Sequence, residues 1–245
     1  MDTEGNGLAL ASWAALLADR TRAAFCLALL DGRAWTVGEL ARHARVAVST
    51  ASEHADRLVA GGLLAQHRQG RHRYLRLADP ETAALIEAVT AAAGPRPTPV
   101  TSLSAAHRRH ALAYARTCYD HLAGTVAVAM TDAMTRRGML AWDRGLALTA
   151  DGDAWLAELG IAVPAGGRRP VLRSCLDWTE RRPHLAGAVG AALCRHAFTA
   201  GWIIRVGSGR AVKVTDAGRA ALARHLGIEP PDRTEPPHRR ASAVA

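Results

Sequence analysis

The sequence predicts a mainly α chain with β-hairpin wings, an α+β class, in which a helical first domain ends in one hairpin and a second domain repeats a helix, hairpin, helix pattern. Three observations carry this expectation. Apolar residues recur at helical spacing through the first sixty positions and then alternate around Gln69-Gly70. Prolines at 95, 97 and 99 forbid helix and mark an extended spacer. The tetrapeptide His-Leu-Ala-Gly stands at residues 121–124 and again at 184–187, and repetition at such a period means stacked units of one architecture. The expected organisation is therefore 1–94, a Pro-rich linker 95–103, a duplicated domain 104–229, and a tail 230–245 with too little apolar content to pack.

In the first domain, Leu10, Trp13, Leu16 and Leu17 place one helix, and the run Arg22 to Leu30, halted by Asp31-Gly32, places a second. Thr36 with Glu39 three residues on is a capping box for a third. After a turn at Arg45-Val46, a helix over Ala47 to Ala60 turns Ala51, Ala55, Leu58 and Val59 to one face and Thr50, Glu53 and Arg57 to the other. Gly61-Gly62 ends it, and Leu63 to Leu77 reads as a two-stranded hairpin with the tip Arg68-Gln69-Gly70-Arg71-His72-Arg73. Helix, tight turn, helix and basic hairpin in this order form a winged helix-turn-helix, whose second helix enters the major groove of DNA.

Charge agrees with a polyanionic partner. The chain carries 31 Lys and Arg against 22 Asp and Glu, net +9. Residues 33–76 hold eight Arg against three acids although residues 1–94 as a whole are neutral. No apolar run approaches the ~20 residues of a membrane span, and the start MDTEGNG is acidic where a signal peptide is basic, so a cytoplasmic protein without membrane partner is expected. Cys26, Cys118, Cys175 and Cys194 include no CxxC pair and read as reduced thiols. Signatures of nucleophilic, metallo-hydrolytic, phosphate-binding or dinucleotide-binding enzymes are missing, which argues against catalysis.

The first domain resembles the ArsR-type bacterial transcriptional regulators. The resemblance rests on Leu17-Ala18-Asp19-Arg20-Thr21-Arg22, Thr36-Val37-Gly38-Glu39-Leu40-Ala41, Ser49-Thr50-Ala51-Ser52-Glu53-His54, Ala60-Gly61-Gly62-Leu63-Leu64 and Gly70-Arg71-His72-Arg73-Tyr74-Leu75-Arg76-Leu77, in that order over roughly residues 8–93. It implies a homodimeric repressor, paired through its first and last helices, that binds a pseudo-palindromic operator and releases it on meeting an inducer. The expected DNA-contacting residues are Val48, Ser49, Thr50, Ser52, Glu53, His54 and Arg57 on the helix and Arg68, Gln69, Arg71, His72 and Arg73 on the wing. Glu53 can accept a hydrogen bond from a cytosine amino group and so shape preference. The family's usual metal sites lack ligands here. A Cys-x-Cys pair is replaced by Thr36 and Gly38, and the last helix of the domain, Asp79 to Ala93, holds no His.

The second domain reads as a pseudo-duplicated winged-helix-like fold. Each copy runs helix, Gly (138 and 201), short strand with a Trp (142 and 202), turn, strand and Thr-capped helix. With the family's metal sites missing, the effector is expected here, near Cys118, His121, Cys175, Trp178 and His184. Cys118 and His121 are placed at i, i+3 on a helix, whereas Cys175 and His184 are separated by a gap that fixes no geometry. A small organic effector, recognised by the indole, carboxylates and guanidiniums of residues 175–184, is preferred over a soft metal ion on these four residues. Packed, inert thiols are the plain alternative. An architectural DNA-binding protein without an inducer is the rival class.

Overall fold

The structure is a computed structural model, and it describes residues 3–70, 72–94, 103–143, 145–163, 169–207 and 209–230. Residues 95–102 of the expected linker 95–103, wing residue Arg71 and the tail from 231 onward lie outside the described residues, and Leu103 already begins a helix. Two compact units are present, Met1–Glu87 and a second beginning at Ala88. The division falls inside the last helix of the first unit and not after it, seven residues before the expected boundary.

The first unit contains α1 (Thr3–Leu17), α2 (Arg20–Leu29), β1 (Trp35–Thr36), α3 (Val37–Ala44), α4 (Val48–Ala60), β2 (Leu64–Gln69), β3 (His72–Leu77) and the start of α5 (Pro80–Ala93). The Asp19 to Arg22 motif has a local cause. Asp19 caps α2 by accepting from the Thr21 and Arg22 backbone N–H groups at 2.9 Å, which holds its carboxyl below the usual range. Arg22 reaches back to the Leu16 and Ala15 carbonyls, the open C-terminal acceptors of α1. The capping box at Thr36 and Glu39 forms as expected, and Ala47 gives α4 no side-chain cap. Buried Asp31 accepts from Arg33 and from the Trp35 indole at 2.9 Å, fixing the turn into β1. Strand β1, a two-residue element absent from the sequence reading, pairs with β3 to give the sheet order β1-β3-β2. Phe25, Leu29, Leu40, Leu58, Leu63 and Leu75 form the core beneath the helices.

The second unit repeats one pattern. Helix α6 (Leu103–Tyr114) precedes the first copy, which comprises β4 (Arg116–Cys118), β5 (His121–Ala123), α7 (Thr125–Arg136), β6 (Leu140–Ala141), β7 (Ala147–Leu148) and α8 (Ala150–Glu158). The second copy comprises β8 (Arg173–Leu176), β9 (Pro183–Ala186), α9 (Gly187–Thr199), β10 (Ile203–Arg205), β11 (Val212–Val214) and α10 (Asp216–Leu226). Thr149 and Thr215 cap α8 and α10 in the same way. Trp142 follows β6 and Trp202 precedes β10, so both flank their strands and do not lie in them. The copies interlock, with α9 packed on β5 and α7 packed on β9. Leu122 and Leu185 enter one core with Val126, Met134, Val189 and Leu193.

The repeated tetrapeptide is explained by these positions. Gly124 and Gly187 take φ of 91° and 83°, and a Cβ at either would stand 2.6 Å from the Ala113 oxygen or 2.8 Å from the Val171 oxygen. Only glycine fits both the backbone and the space. The leucines fill the core and the histidines turn to the interior.

A buried ion pair joins the two copies. Arg116 donates to Asp177 at 2.8 Å with both side chains wholly buried, and Arg116 also donates to the Leu112 carbonyl and the Thr179 hydroxyl. Asp177 accepts in addition from the Gly124 and Thr179 N–H groups. Burial pushes its carboxyl up, but Arg116, Thr179 and Gly124 together hold it well below the usual carboxylate range. Removing one partner strands the other charge in the interior. Asp177→Ala is expected to cost about 3–5 kcal/mol in urea unfolding, whereas Asp19→Ala, a lost cap, costs about 1 kcal/mol; equal losses in the two variants would show that the pair is not the stronger constraint.

Candidate nucleic-acid interface and thiol–imidazole centre

Helix α4 exposes Val48, Ser49, Glu53 and Arg57, with Thr50, Ser52 and His54 half-buried. Ala51, Ala55 and Leu58 face the core, so the polar face is held outward by packing on the other. Val48 is 60% exposed, an apolar side chain open to solvent at the start of the helix. On the wing, Arg68, Gln69 and His72 are exposed. Two expected contact residues are otherwise occupied. Arg73 pairs with Asp56 of α4 at 2.7 Å and is largely covered, so it braces the wing against the helix. His54 turns toward α2, its Nδ1 3.5 Å from Arg22 Nη1 and its ring edge-on to Phe25.

In the second unit, four of the five expected effector residues converge. Cys118, His121, Cys175 and His184 are all buried, and their four ligand atoms lie within 4.8 Å of one another. The expected helix over Cys118 and His121 is replaced by a hairpin. Strand β4 pairs with β5 so that Cys118 stands opposite His121, across a turn in which Tyr119 takes φ 58°. The Thr117 N–H donates to the Arg210 carbonyl at 2.9 Å, and this long-range pairing overrides the local helical spacing. The gap between Cys175 and His184 is likewise closed, because β8 and β9 pair with these two residues opposite each other. Each copy thus presents one cysteine and its cross-strand histidine.

The two imidazoles stack, with Nε2 facing Nε2 at 3.2 Å. Behind each ring is a carboxylate. Asp120 stands 3.4 Å from His121 Nδ1, and Asp177 stands 3.4 Å from His184 Nδ1. Each carboxylate is anchored in turn by an arginine, Asp120 by Arg169 and Asp177 by Arg116. Burial pushes the Asp120 carboxyl up, but His121 and Arg169 hold it well below the usual range. The cysteines of the chain divide by environment. Burial raises Cys26 and Cys194 to about 12, as for inert packed thiols. Cys175 is driven the other way, by the Cys118 thiol and then, against the effect of burial, by the two imidazoles, toward thiolate.

Trp178 stands outside this cluster, half-buried, with the Arg116 guanidinium 4.7 Å from its ring centre. Three of the polar groups expected to greet an organic effector have partners elsewhere in the chain. Asp177 is held as described, Glu180 accepts from Thr125, and Arg182 pairs with Asp132. A separate apolar cavity of about 370 Å³, counting its open part, is lined by Leu122, Met130, Met134, Leu185 and Leu193 and has no charged group on its wall. Sequence reasoning missed Arg116, Asp120 and Arg169. Asp120, adjacent to His121, was the available signal; Arg116 and Arg169 carry none without the fold.

The Helix-turn-helix domain family matches residues 17–67. An uncharacterized HTH-type transcriptional regulator of Bacillus subtilis (strain 168), YdfF, is 39% identical over 223 residues, covering 90% of this chain and 98% of the relative. That likeness runs through both units. Among solved structures, a homodimeric winged helix-turn-helix DNA-binding domain from Mycobacterium bovis, a possible ArsR-family regulator, is 28% identical with a TM-score of 0.34, covering 38% of this chain and 86% of its own. The cadmium sensor CMTR of Mycobacterium tuberculosis is 34% identical with a TM-score of 0.30, covering 38% of this chain and 98% of its own. No helix among the described residues is long and apolar enough to cross a membrane. With a winged helix-turn-helix in its first unit and a full-length relative of that kind, the chain belongs to the HTH-type transcriptional regulators.

Proposed function

We propose that the chain is a cytoplasmic, homodimeric, sequence-specific DNA-binding repressor, non-enzymatic, whose hold on its operator is released by an effector bound in residues 104–229. The observation that carries this reading is the exposed polar face of α4 beside a basic wing, the geometry that reads a major groove while touching adjacent phosphates. Ser49, Ser52, Glu53 and Arg57 are the base-reading candidates. Arg68 and Gln69 on the wing serve the backbone. Residues 1–94 bind DNA and dimerise.

Dimerisation is supported by the apolar helices at the ends of the first domain. Leu8 and Leu10 of α1 are 71% and 69% exposed, and Leu85 and Val89 of α5 are 46% and 45% exposed. Ile86 of α5 is buried within the chain itself. A second copy is the fitting occupant, because one recognition helix reads too few base pairs to define a unique operator and a two-fold axis doubles the site.

An operator selected from a random duplex pool tests the reading. Arg68→Ala should weaken specific and random DNA together and lower the salt slope by about 1. Asp56→Ala frees Arg73 and removes a negative charge, so the slope should steepen. Glu53→Gln should change which sequence is selected. Selection of no preferred sequence would make the protein an architectural binder. Light scattering on the full chain should give a dimer at micromolar concentration, with Leu10→Glu monomeric and unable to hold the operator; a wild-type monomer that binds the operator at full affinity contradicts the dimer.

A further inference from the structure

We propose that Cys118, His121, Cys175 and His184 hold one tetrahedrally coordinated d¹⁰ ion of the zinc and cadmium class, and that this ion is the effector. The inference deepens the regulator reading by naming the effector's chemistry. Three independent features converge on it.

The first is spacing. Metal–nitrogen bonds of ~2.0–2.1 Å in a tetrahedron put two nitrogens about 3.3–3.4 Å apart, and metal–sulfur bonds of ~2.3 Å put two sulfurs about 3.8 Å apart. The two Nε2 atoms are 3.2 Å apart and all four ligand atoms fall within 4.8 Å. Small adjustments of side chains seat the ion.

The second is orientation of the imidazoles. The Asp120 carboxylate, hydrogen-bonded to His121 Nδ1, favours the Nδ1–H tautomer of that ring, while His184 Nδ1 lies 3.4 Å from Asp177 without a hydrogen bond; the two Nε2 atoms face each other. At 3.2 Å the two Nε2 atoms hold a shared proton or, once that proton is displaced, a metal ion between them. A carboxylate hydrogen-bonded to the outer nitrogen is the device by which proteins orient imidazole ligands; it is formed at His121, and His184 has a carboxylate near the equivalent atom.

The third is charge. A divalent ion with two thiolates and two neutral imidazoles is neutral as a unit, and the outer carboxylates are each matched by an arginine. The buried centre therefore carries no net charge when loaded, which the interior tolerates. Binding displaces the remaining thiol protons to solvent and forms two metal–sulfur and two metal–nitrogen bonds, with no change in oxidation state. Four protein ligands close the coordination sphere and leave no position for a reacting water, so the site holds its ion and does not catalyse. Soft thiolate ligands favour zinc or cadmium over magnesium or calcium.

The full-length protein, reduced, dialysed against chelator and titrated with Co²⁺, tests the site. The expected result is one ion per chain, with the intense visible bands of tetrahedral cobalt and a thiolate charge-transfer band, both displaced by Zn²⁺ or Cd²⁺. Cys118→Ser and His184→Gln should lose these bands, while Cys26→Ser and Cys194→Ser keep them. Zn²⁺ should raise the wild-type melting temperature by more than about 5 °C, a readout that needs no variant to fold. Absence of uptake, weak six-coordinate spectra, or bands that survive Cys118→Ser with Cys175→Ser would overturn the site, as would a Cys118 to Cys175 disulfide recovered as the resting form with no uptake after reduction. A second arm measures operator affinity with and without Zn²⁺ or Cd²⁺. A tenfold or larger weakening supports the effector role. Unchanged affinity with one ion bound overturns that role and leaves the DNA-binding reading intact, whereas a protein that binds metal but selects no operator overturns the regulator reading alone.

Discussion

Asp177 is the residue on which the second unit turns. Its carboxylate accepts from Arg116 at the head of the first hairpin, from the Gly124 N–H at the foot of that hairpin, and from Thr179 and Glu180 in its own loop. The same oxygen that meets Arg116 lies 3.4 Å from His184 Nδ1. One buried anion thus binds both ends of a hairpin in the first copy and stands beside a ring in the second. Burying two ions costs several kcal/mol each before any gain, and the donors gathered round Asp177 offset that cost, while Arg116 Nε is left without a hydrogen-bond partner.

Duplication is what makes the centre. A single copy offers one thiol and one imidazole, too few for a four-coordinate ion. Two copies related by approximate symmetry and interlocked through α9 on β5 and α7 on β9 bring the second pair opposite the first. An ion at that point ties the copies together, and its binding energy acts on the relation between them. A ligand shifts an equilibrium only by its differential affinity for the two states, so regulation through this centre requires that the hairpins stand differently when the operator is held. The two Cys and His pairs, one per hairpin, are suited to sense such a difference, because a tetrahedral ion tolerates little change in ligand separation.

Elements governed by local rules were legible in the sequence. The Thr36 and Glu39 box, the hairpin at Gln69-Gly70 and the Thr caps of α8 and α10 depend on neighbours within a few residues. The repeated His-Leu-Ala-Gly also identified the duplication, since each of its residues has a fixed task. What escaped depends on distant partners. Cys118 and His121 satisfy helical spacing equally well, and nothing near Tyr119-Asp120 resembles a favoured hairpin turn; the pairing of β4 is decided in part by the chain at Arg210. Arg73 looked like a free wing cation because its partner, Asp56, belongs to another element. The centre's residues were named from the sequence, but their convergence, and with it the ranking of a metal over an organic effector, needed the register of two hairpins.

X-ray absorption at the zinc edge of the full-length protein, loaded with one equivalent of Zn²⁺, tests the central claim most directly. The account predicts a shell of two sulfurs at about 2.3 Å and two imidazole nitrogens at about 2.0–2.1 Å, with no bound water. A shell of oxygen and nitrogen alone, or one lacking either the sulfur pair or the imidazole pair, would contradict it.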